Sequence, residues 1–274
     1  MRISPKLIRQ ARQINNLLPP LLYPNRSLEQ AQLELKWITE ELPPNQWVQA
    51  VKRRSLYEPL QYILGSQPFG DLDILCRPGV LIPRWETEEW VKRLCNSLSG
   101  QQYKILDVCT GSGCIPILMD HLLKQRGIDS NIEAFDISPI AVELAQENAK
   151  LNQSSISFTQ NNLFRVRDLG KYDIIVSNPP YITKDEYATI GKSVKLYEPQ
   201  LALIGETEFY EALVHNVVIP SECHSFVFEL GNQSQADIVQ SLLPHWNIGT
   251  MKDSQENLRC VIGSKDKSFM TLCN

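Results

Sequence analysis

The tetrapeptide Asn178-Pro179-Pro180-Tyr181 holds the residue types in this sequence that point most directly to chemistry. Two successive prolines stiffen a turn and remove two backbone donors, so that their carbonyl oxygens remain available as acceptors. The Asn178 side chain offers a further carbonyl oxygen, and Tyr181 offers a ring that can wall or stack on a planar group. Together these groups suit a planar NH2 group, which needs two acceptors for its two hydrogens.

The residues before this tetrapeptide place it at the end of a strand. It follows the apolar run 172–177, and open α/β sheets bind their ligands at the carboxyl ends of strands. Asn-Pro alone is a common turn signal, so Asn178 without its context would be read as an ordinary turn residue. The full tetrapeptide after a buried strand favours a site.

A second turn with a chemical signature is Asp107-Val-Cys-Thr-Gly-Ser-Gly113. Gly111 and Gly113 let the backbone turn tightly and approach a ligand closely. Asp136 ends the next predicted strand, where its carboxylate can accept hydrogen bonds from both hydroxyls of a ribose. A dinucleotide site would carry a third glycine where this chain has Pro116, so the turn predicts a nucleoside without a pyrophosphate. S-adenosylmethionine fits, because it has a ribose, an adenine and a sulfonium cation that an acidic turn tolerates.

Alternating strands and helices beyond residue 103 must position both turns. Strands are predicted at 104–108, 131–136, 156–159, 172–177 and 225–230, with a closing hairpin at 246–251 and 258–262. Helices are predicted up to about 125, at 138–151, near 206–219 and at 234–243. This alternation predicts an α/β fold with a doubly wound, mostly parallel sheet.

The start of the chain has a different pattern, which predicts a separate domain. Residues 1–66 read as a helical N-terminal domain, 67–82 as a β-hairpin connector with its turn at Pro78-Gly79, and 83–274 as the catalytic domain. A helix is also predicted from about 86 to 98. The first 28 residues contain no Asp or Glu but five basic residues, a pattern typical either of an organellar targeting helix or simply of the first helix of a folded domain.

Composition excludes several classes of protein. The net charge of -4 and the sequence pI of about 5.7 are not those of a protein held mainly by phosphate backbones. The seven cysteines are scattered without a Cys-x-x-Cys pair, which predicts reduced thiols in an intracellular protein. The four histidines show no ligand pattern, so no metal is expected, and no apolar stretch has the ~20 residues of a membrane span.

At the level of whole motifs the chain resembles the HemK/PrmC-type glutamine N5-methyltransferases, which act on peptide-chain release factors. The resemblance covers nearly the whole chain, and the Ile-Pro-Arg-x-Glu-Thr-Glu block distinguishes this family from adenine methyltransferases that share Asn-Pro-Pro-Tyr. Its marks are 59–65 (Pro-Leu-Gln-Tyr-Ile-Leu-Gly), 81–88 (Leu-Ile-Pro-Arg-Trp-Glu-Thr-Glu), the turn around Gly111, Asn178–Tyr181, Tyr197-Glu198-Pro199 and Glu229-Leu-Gly231.

The resemblance implies a class I S-adenosylmethionine-dependent methyltransferase fold, with a seven-stranded mixed sheet and a helical N-terminal domain that helps to hold the release factor. The implied substrate is the glutamine of the Gly-Gly-Gln loop. The Asn178 side-chain oxygen and the Pro179 carbonyl oxygen are expected to accept its two N–H bonds, with Pro180 and Tyr181 completing the site. The implied cofactor contacts are Asp107, Thr110, Gly111, Gly113, Asp136, Asn162, Leu163 and Asn178.

Three departures from the family pattern bear on these expectations. Cys109 stands where the family usually has glycine, and 204–207 lacks the usual glycine-rich form; both are expected to alter loop shape only. Asn162 replaces a common Asp that helps to hold the adenine, although an amide can still hydrogen-bond there.

Two features look most like fungal mitochondrial members. One is Trp85 within residues 81–88, the junction block between the helical and catalytic parts, and the other is the basic start of the chain. This predicts a location in the mitochondrial matrix, with the cytoplasm as the alternative. The expected partner is a class I release factor, with an indirect contact to the ribosome and none to a membrane, and a monomer is the default expectation.

Two other functions remain open at this stage. An adenine N6-methyltransferase acting on DNA or RNA would use the same acceptor groups of Asn178–Tyr181, which together are called the cup. It would hold an exocyclic amine there, with the flipped base on Tyr181. The acidic pI and the lack of a target-recognition domain count against it. A non-catalytic RNA-associated protein that retains the fold is the other alternative, and intact Asn178, Gly111 and Asp136 count against that one.

Overall fold

Short helices form the first part of the chain in the computed structural model, which describes residues 2–273. They are α1 (Pro5–Ile14), α2 (Leu18–Asn25), α3 (Leu28–Glu41), α4 (Trp47–Ser55) and α5 (Leu60–Leu64). The Ser4 hydroxyl caps α1 by accepting from the Leu7 N–H, and Pro5 stands in its first turn. Ala11 is buried in a cluster with Leu21 and Ile38, so the basic start forms a helix that packs onto its neighbours.

An ion pair ties two of these helices together beneath the surface. The Arg54 guanidinium on α4 donates to the Glu34 carboxylate on α3, with Nη2 2.8 Å from Oε1, and both side chains are nearly buried. Asn25 Nδ2 donates to the same carboxylate at 2.6 Å. Such a pair is costly to break from one side, because the remaining charge is left without compensation.

Arg54→Ala is therefore expected to lower the free energy of unfolding by about 3–5 kcal/mol. Urea denaturation followed by circular dichroism measures the loss. Lys52→Ala is the matched control, since Lys52 lies exposed on the same helix, and it is expected to change stability by less than about 0.5 kcal/mol. Equal effects of the two substitutions would contradict the structural role of the pair.

The predicted hairpin exists, but its position in the sequence was wrong. Strands β1 (Ser66–Phe69) and β2 (Leu72–Leu75) pair antiparallel, and the turn lies at Gly70-Asp71 with Gly70 at φ +64°. The chain also turns at Pro78-Gly79, where the Val80 N–H donates to the Arg77 carbonyl oxygen. No strand follows, because the Ile82 N–H is bonded to the Glu198 side chain instead of a strand partner.

The remainder of the chain forms the predicted α/β sheet. Its strands are β3 (Gln102–Val108), β4 (Asp129–Asp136), β5 (Ser157–Gln160), β6 (Ile174–Ser177), β7 (Ser225–Glu229), β8 (Asn247–Lys252) and β9 (Leu258–Ser264). Their spatial order is β5-β4-β3-β6-β7-β9-β8, with parallel pairing from β5 to β7 and antiparallel pairing of β9 with both β7 and β8. The doubly wound mixed sheet with a closing hairpin is thus confirmed.

Helices cover both faces of the sheet, and each face has its own apolar core. The helices of this part of the chain are α6 (Trp85–Ser97), α7 (Cys114–Gln125), α8 (Pro139–Leu151), α9 (Lys184–Thr189), α10 (Lys192–Tyr197), α11 (Thr207–Leu213) and α12 (Gln233–Leu242), of which α9 and α10 contain no buried residue. One core gathers Trp90, Leu118 and Ile174, and the other gathers Tyr210, Phe226 and Phe228. Helices α9 and α10, in the stretch after Tyr181, were not predicted.

The order of the strands brings the two predicted turns together. The chain winds from β3 to β4 on one side and reaches β6 on the other, so β3 and β6 flank the point where the winding reverses. At their carboxyl ends Val108 pairs with Ser177. Because ligands of such sheets bind at this reversal, the turn after β3 and the turn after β6 border one site.

Candidate active site

An open cleft lies at this end of the sheet, with an empty volume of about 1040 Å³ when the space open to solvent is counted. The junction at 79–84, the turn after β3, the end of β4, residues 161–164 and the turn after β6 contribute to its walls. The predicted site residues that line it are Thr110, Gly111, Asp136, Asn162, Leu163, Asn178 and Pro180. Four others stand behind these walls: Asp107, Gly113, Pro179 and Tyr181.

Asp136 holds the glycine turn in shape. Its Oδ2 accepts the Gly111 N–H at 2.9 Å, and its Oδ1 accepts the Ser138 N–H at 2.9 Å. Burial raises the pKa of Asp136, and these backbone bonds oppose the rise. A carboxylate has about four acceptor positions, so two remain for donors in the cleft.

The two glycines of this turn are required for different structural reasons. Gly111 has φ +56° and open space where a Cβ would stand, so its backbone faces the cleft without a side chain. Gly113 has φ +79°, and a Cβ there would lie 3.0 Å from the Cβ of Ala145. Gly113 therefore permits close packing of α7 on α8.

Cys109 keeps the backbone conformation that suits a glycine. Its φ is +62°, in the left-handed region where a side chain costs about 1–2 kcal/mol. The loop has therefore retained the shape that a glycine at this position would favour, and the thiol adds a side chain to the cleft wall.

Asp107 is completely buried at the end of β3, directly before the turn. Within residues 2–273 neither of its carboxyl oxygens, nor the Thr110 hydroxyl, has a hydrogen-bond partner of normal geometry. Burial raises the pKa of Asp107 to about 8, and the neighbouring Asp136 adds to the rise. A polar pair of this kind beside a cleft suits a ligand that brings donors or positive charge.

Asp107→Asn is expected to make the cofactor-free protein more stable relative to wild type as pH rises from 5 to 8. The folded-state pKa lies above the ordinary value of 3.8, so the carboxyl stabilises the fold fully below that value and progressively less as pH approaches 8. Melting temperatures of both proteins across this range measure the effect. A difference that stays constant with pH would contradict it.

Asn162 lies on the cleft wall after β5 and shapes its own loop. Its Oδ1 accepts the Phe164 N–H at 2.9 Å, and its carbonyl oxygen accepts the Val166 N–H at 2.8 Å. The amide nitrogen is left as a donor. The neighbouring Leu163 and Phe164 add apolar surface to the same wall.

Asn178 faces the cleft directly after β6, as predicted from its place in the sequence. Its Nδ2 donates to the Thr87 hydroxyl at 3.3 Å. No described residue donates to its Oδ1, nor to the Pro179 carbonyl oxygen. Asn178 therefore presents an acceptor oxygen to the cleft, whereas Pro179 has an unused carbonyl oxygen but is buried behind the cleft wall.

Tyr181 lies differently from the expected ring wall. Its hydroxyl donates to Glu229 Oε1 at 3.1 Å, and its ring packs where a side chain on Gly231 would otherwise stand. The carbonyl oxygen of Tyr181 accepts from Gln235 Nε2 at 3.0 Å. These contacts fix the end of the turn against β7 and α12.

Two residues of the site have no predicted role, namely Thr87 and Glu229. Glu229 ends β7 and is 1% exposed, and its carboxylate accepts from Thr87, Trp90 and Tyr181. The sequence held a signal for it, because an acid at the end of the apolar run Ser225–Glu229 must find partners when it is buried. Thr87 lies within the junction block and carried no separate signal.

An ion pair joins the junction block to Glu198, in the segment that follows the cup. Arg84 Nη2 lies 2.6 Å from Glu198 Oε1, and the Glu198 side chain is 2% exposed. Glu198 Oε2 also accepts the Ile82 N–H. Arg84 thus ties residues 82–84 to Glu198 at the wall of the cleft.

Between residues 2 and 273 no three or more His, Cys, Asp or Glu side chains are grouped so as to hold a metal ion. No helix in this range is long and apolar enough to cross a bilayer.

Comparison with known proteins gives relatives that match over most of the chain. A Saccharomyces cerevisiae protein named "Mitochondrial MRF1 N(5)-glutamine methyltransferase MTQ1" is 41% identical over 96% of this chain and 89% of its own length. A Fusobacterium nucleatum "Release factor glutamine methyltransferase" is 38% identical over 78% of this chain and 62% of its own length.

Family and fold comparisons agree with these relatives. The family model described as "Methyltransferase small domain" matches residues 87–196. The solved structure "delta-N METTL16 MTase domain" has the same fold, with a TM-score of 0.53 at 18% identity over 77% of this chain and 96% of that one. The class I methyltransferase fold is therefore confirmed, and the chain belongs to the family of release factor glutamine methyltransferases.

Proposed function

We propose that this protein transfers a methyl group from S-adenosylmethionine to the side-chain amide nitrogen of the glutamine in the Gly-Gly-Gln loop of a class I release factor. The observation that carries the proposal is the Asn178 amide, which is held at its nitrogen end and has a free oxygen on the cleft side. The relatives named for this reaction support it, since they match most of the chain.

The residues of the cleft fit S-adenosylmethionine. Asp136 would hold the ribose with its remaining acceptor positions, and Leu163 would pack on the adenine. Asp107 and Thr110, whose side-chain oxygens lack a partner among residues 2–273, offer polar groups for the amino-acid end at the turn after β3. When bound, this cofactor supplies a methyl group that sulfonium chemistry has already activated, so that the protein has to supply position and polarisation.

The cup residues act on the nitrogen of the substrate. An amide nitrogen is a poor nucleophile because its lone pair is delocalised into the carbonyl group. Asn178 Oδ1 and the Pro179 carbonyl oxygen would accept its two N–H bonds, fix the plane of the amide and favour pyramidalisation of the nitrogen. Alignment of this kind can contribute ~7–11 kcal/mol in favourable cases.

The same oxygens stabilise charge as the reaction proceeds. Positive charge grows on the nitrogen while its new bond forms, and the two proposed acceptor oxygens would stabilise that charge. No strong base is required, because an alkylated amide nitrogen loses its proton readily to water. Tyr181 is proposed to support the turn through Glu229, in place of the wall that was expected of it.

The proposed location is the mitochondrial matrix. The support is the name of the yeast relative, which describes a mitochondrial enzyme. The basic side chains of α1 are exposed on a helix that packs onto the core, so their pattern is compatible with targeting and with folding alike.

The direct experiment incubates the purified protein with labelled S-adenosylmethionine and a mitochondrial class I release factor. Mass spectrometry of the Gly-Gly-Gln peptide should give a mass gain of one methyl replacing one hydrogen, on the glutamine. A release factor with glutamate in place of that glutamine is the matched control and should remain unlabelled. Methylation of DNA or RNA adenine under the same conditions, with no label on the peptide, would overturn the proposal.

A further inference from the structure

A buried carboxylate behind the cup collects three hydrogen bonds that all point toward it. Glu229 Oε2 accepts from Thr87 Oγ1 at 2.7 Å and from Trp90 Nε1 at 2.8 Å. Its Oε1 accepts from the Tyr181 hydroxyl at 3.1 Å. Thr87 and Trp90 come from α6, and Tyr181 comes from the turn after β6, so the carboxylate joins three parts of the fold.

The count of protons fixes the direction of the next bond. Burial raises the pKa of Glu229, and the three hydrogen bonds that it receives oppose the rise and favour the ionised form, which can only accept. The single hydrogen of the Thr87 hydroxyl goes to this carboxylate. The Thr87 oxygen can therefore only accept from Asn178, which must turn its NH2 group toward Thr87. The Asn178 Oδ1 is then directed away from Thr87, and no described residue donates to it.

From this chain of bonds we infer that Thr87 is a positioning residue, which Glu229 sets so that the Asn178 amide presents its oxygen to the substrate nitrogen. The inference rests on the proposed function, and it adds two residues to the machinery of the same site. Without the acceptor at Thr87 the amide could rotate by half a turn and present NH2 to the substrate NH2. Two donors would then face each other, and the substrate would lose one of its two acceptors.

The series of hydrogen bonds from Glu229 through Thr87 to Asn178 also polarises Asn178 Oδ1, the oxygen proposed to accept from the substrate. Hydrogen bonds in series strengthen one another, and they do so more in a low-dielectric interior. The negative charge of Glu229 acts through the Thr87 hydroxyl on the Asn178 amide and increases electron density on Oδ1. This effect favours the state in which positive charge grows on the substrate nitrogen, so its loss should appear in kcat more than in binding of the cofactor.

Thr87→Val tests the inference, because valine keeps the shape and removes the hydroxyl. The expected result is a fall of about tenfold or more in kcat, the size of one charge-assisted hydrogen bond, with the Kd for S-adenosylmethionine changed less than about twofold. Thr87→Ser restores the hydroxyl and should recover most of the lost activity. Binding of the cofactor by calorimetry verifies that each variant is folded.

A double-mutant cycle separates positioning from mere structural support. In the Asn178→Ala background, Thr87→Val is expected to have no further effect on kcat, because the group through which it acts is gone. Losses that multiply in the double variant would overturn the inference, as would a single Thr87→Val variant with wild-type kcat.

A second variant keeps the test decisive if valine at this position prevents folding. Thr87→Ala removes the same hydroxyl with a smaller side chain, so that Asn178 again loses its acceptor without a bulkier group in the site. The kcat of this variant is expected to fall by about tenfold or more with cofactor affinity retained; unchanged kcat would overturn the inference. A wild-type protein inactive on every release factor would instead refute the proposed function, and the inference with it.

Discussion

Replacing Asn178 with alanine is expected to lower kcat by about 100-fold to 1000-fold, the effect of removing one preorganised polar group from a reaction centre. The Kd for S-adenosylmethionine is expected to change by less than about threefold, because the side chain holds the substrate nitrogen and only borders the cofactor. Steady-state kinetics on a release factor and calorimetry of cofactor binding measure the two quantities.

The control for this substitution is Asn96→Ala. Asn96 lies exposed on α6, and its side chain has no hydrogen bond to any residue between 2 and 273, so that the same chemical change should leave kcat and Kd as they are in wild type. If Asn178→Ala weakened cofactor binding as much as it slowed turnover, the side chain would act mainly on the cofactor, and its proposed role at the substrate nitrogen would be wrong.

The second large effect is expected from Gly205→Ala, at a position away from the reacting atoms. A Cβ at Gly205 would lie 2.3 Å from the Pro180 carbonyl oxygen and 2.7 Å from a ring carbon of Phe209. The first neighbour is backbone and cannot rotate away, so the turn that carries Asn178 must shift. A misplacement of about 1 Å can cost about 100-fold in rate, and we expect a loss of that order in kcat/KM.

Gly191→Ala is the matched control in the same stretch of chain. Gly191 precedes α10 at a φ of −57°, and nothing lies within 4 Å of the position of its Cβ. This variant should keep wild-type kcat/KM and melting temperature. A Gly205→Ala enzyme as active as the control would mean that the turn after β6 tolerates displacement, contrary to the rigid cup.

The sequence was sufficient to predict the site where the chemistry depends on local order. The apolar run before Asn178 had to be a buried strand, and the paired prolines had to end it, so the acceptors were expected at a carboxyl edge. The glycine turn before α7 was predictable for the same reason. Both predictions required only the period of the apolar residues and the special conformations of glycine and proline.

The partners of the cup depend on long-range packing and could not be predicted in this way. Thr87 and Glu229 are 142 residues apart in the sequence, and they meet only because β7 lies beside β6 while α6 packs across the sheet. Tyr181 was expected at the cleft, but its hydroxyl donates to the Glu229 carboxylate, so that the ring lies behind the cleft wall.

Local signals also failed where two of them competed or where none existed. Gly70-Asp71 and Pro78-Gly79 are both turn signals, and only the first has strands on each side that can pair. Helices α9 and α10 have six residues each and contain no buried residue, so no apolar period marks them.

The segment from Ile182 to Gly205 leaves the sheet and returns to it, and backbone hydrogen bonds join its two ends. The Ile182 N–H donates to the Leu203 carbonyl oxygen at 2.9 Å, and the Gly205 N–H donates to the Ile182 carbonyl oxygen at 3.1 Å. Lengthening a loop whose ends are already joined adds little closure entropy. The exposed stretch around α9 can therefore change in length or sequence with little effect on the turn after β6 that carries Asn178.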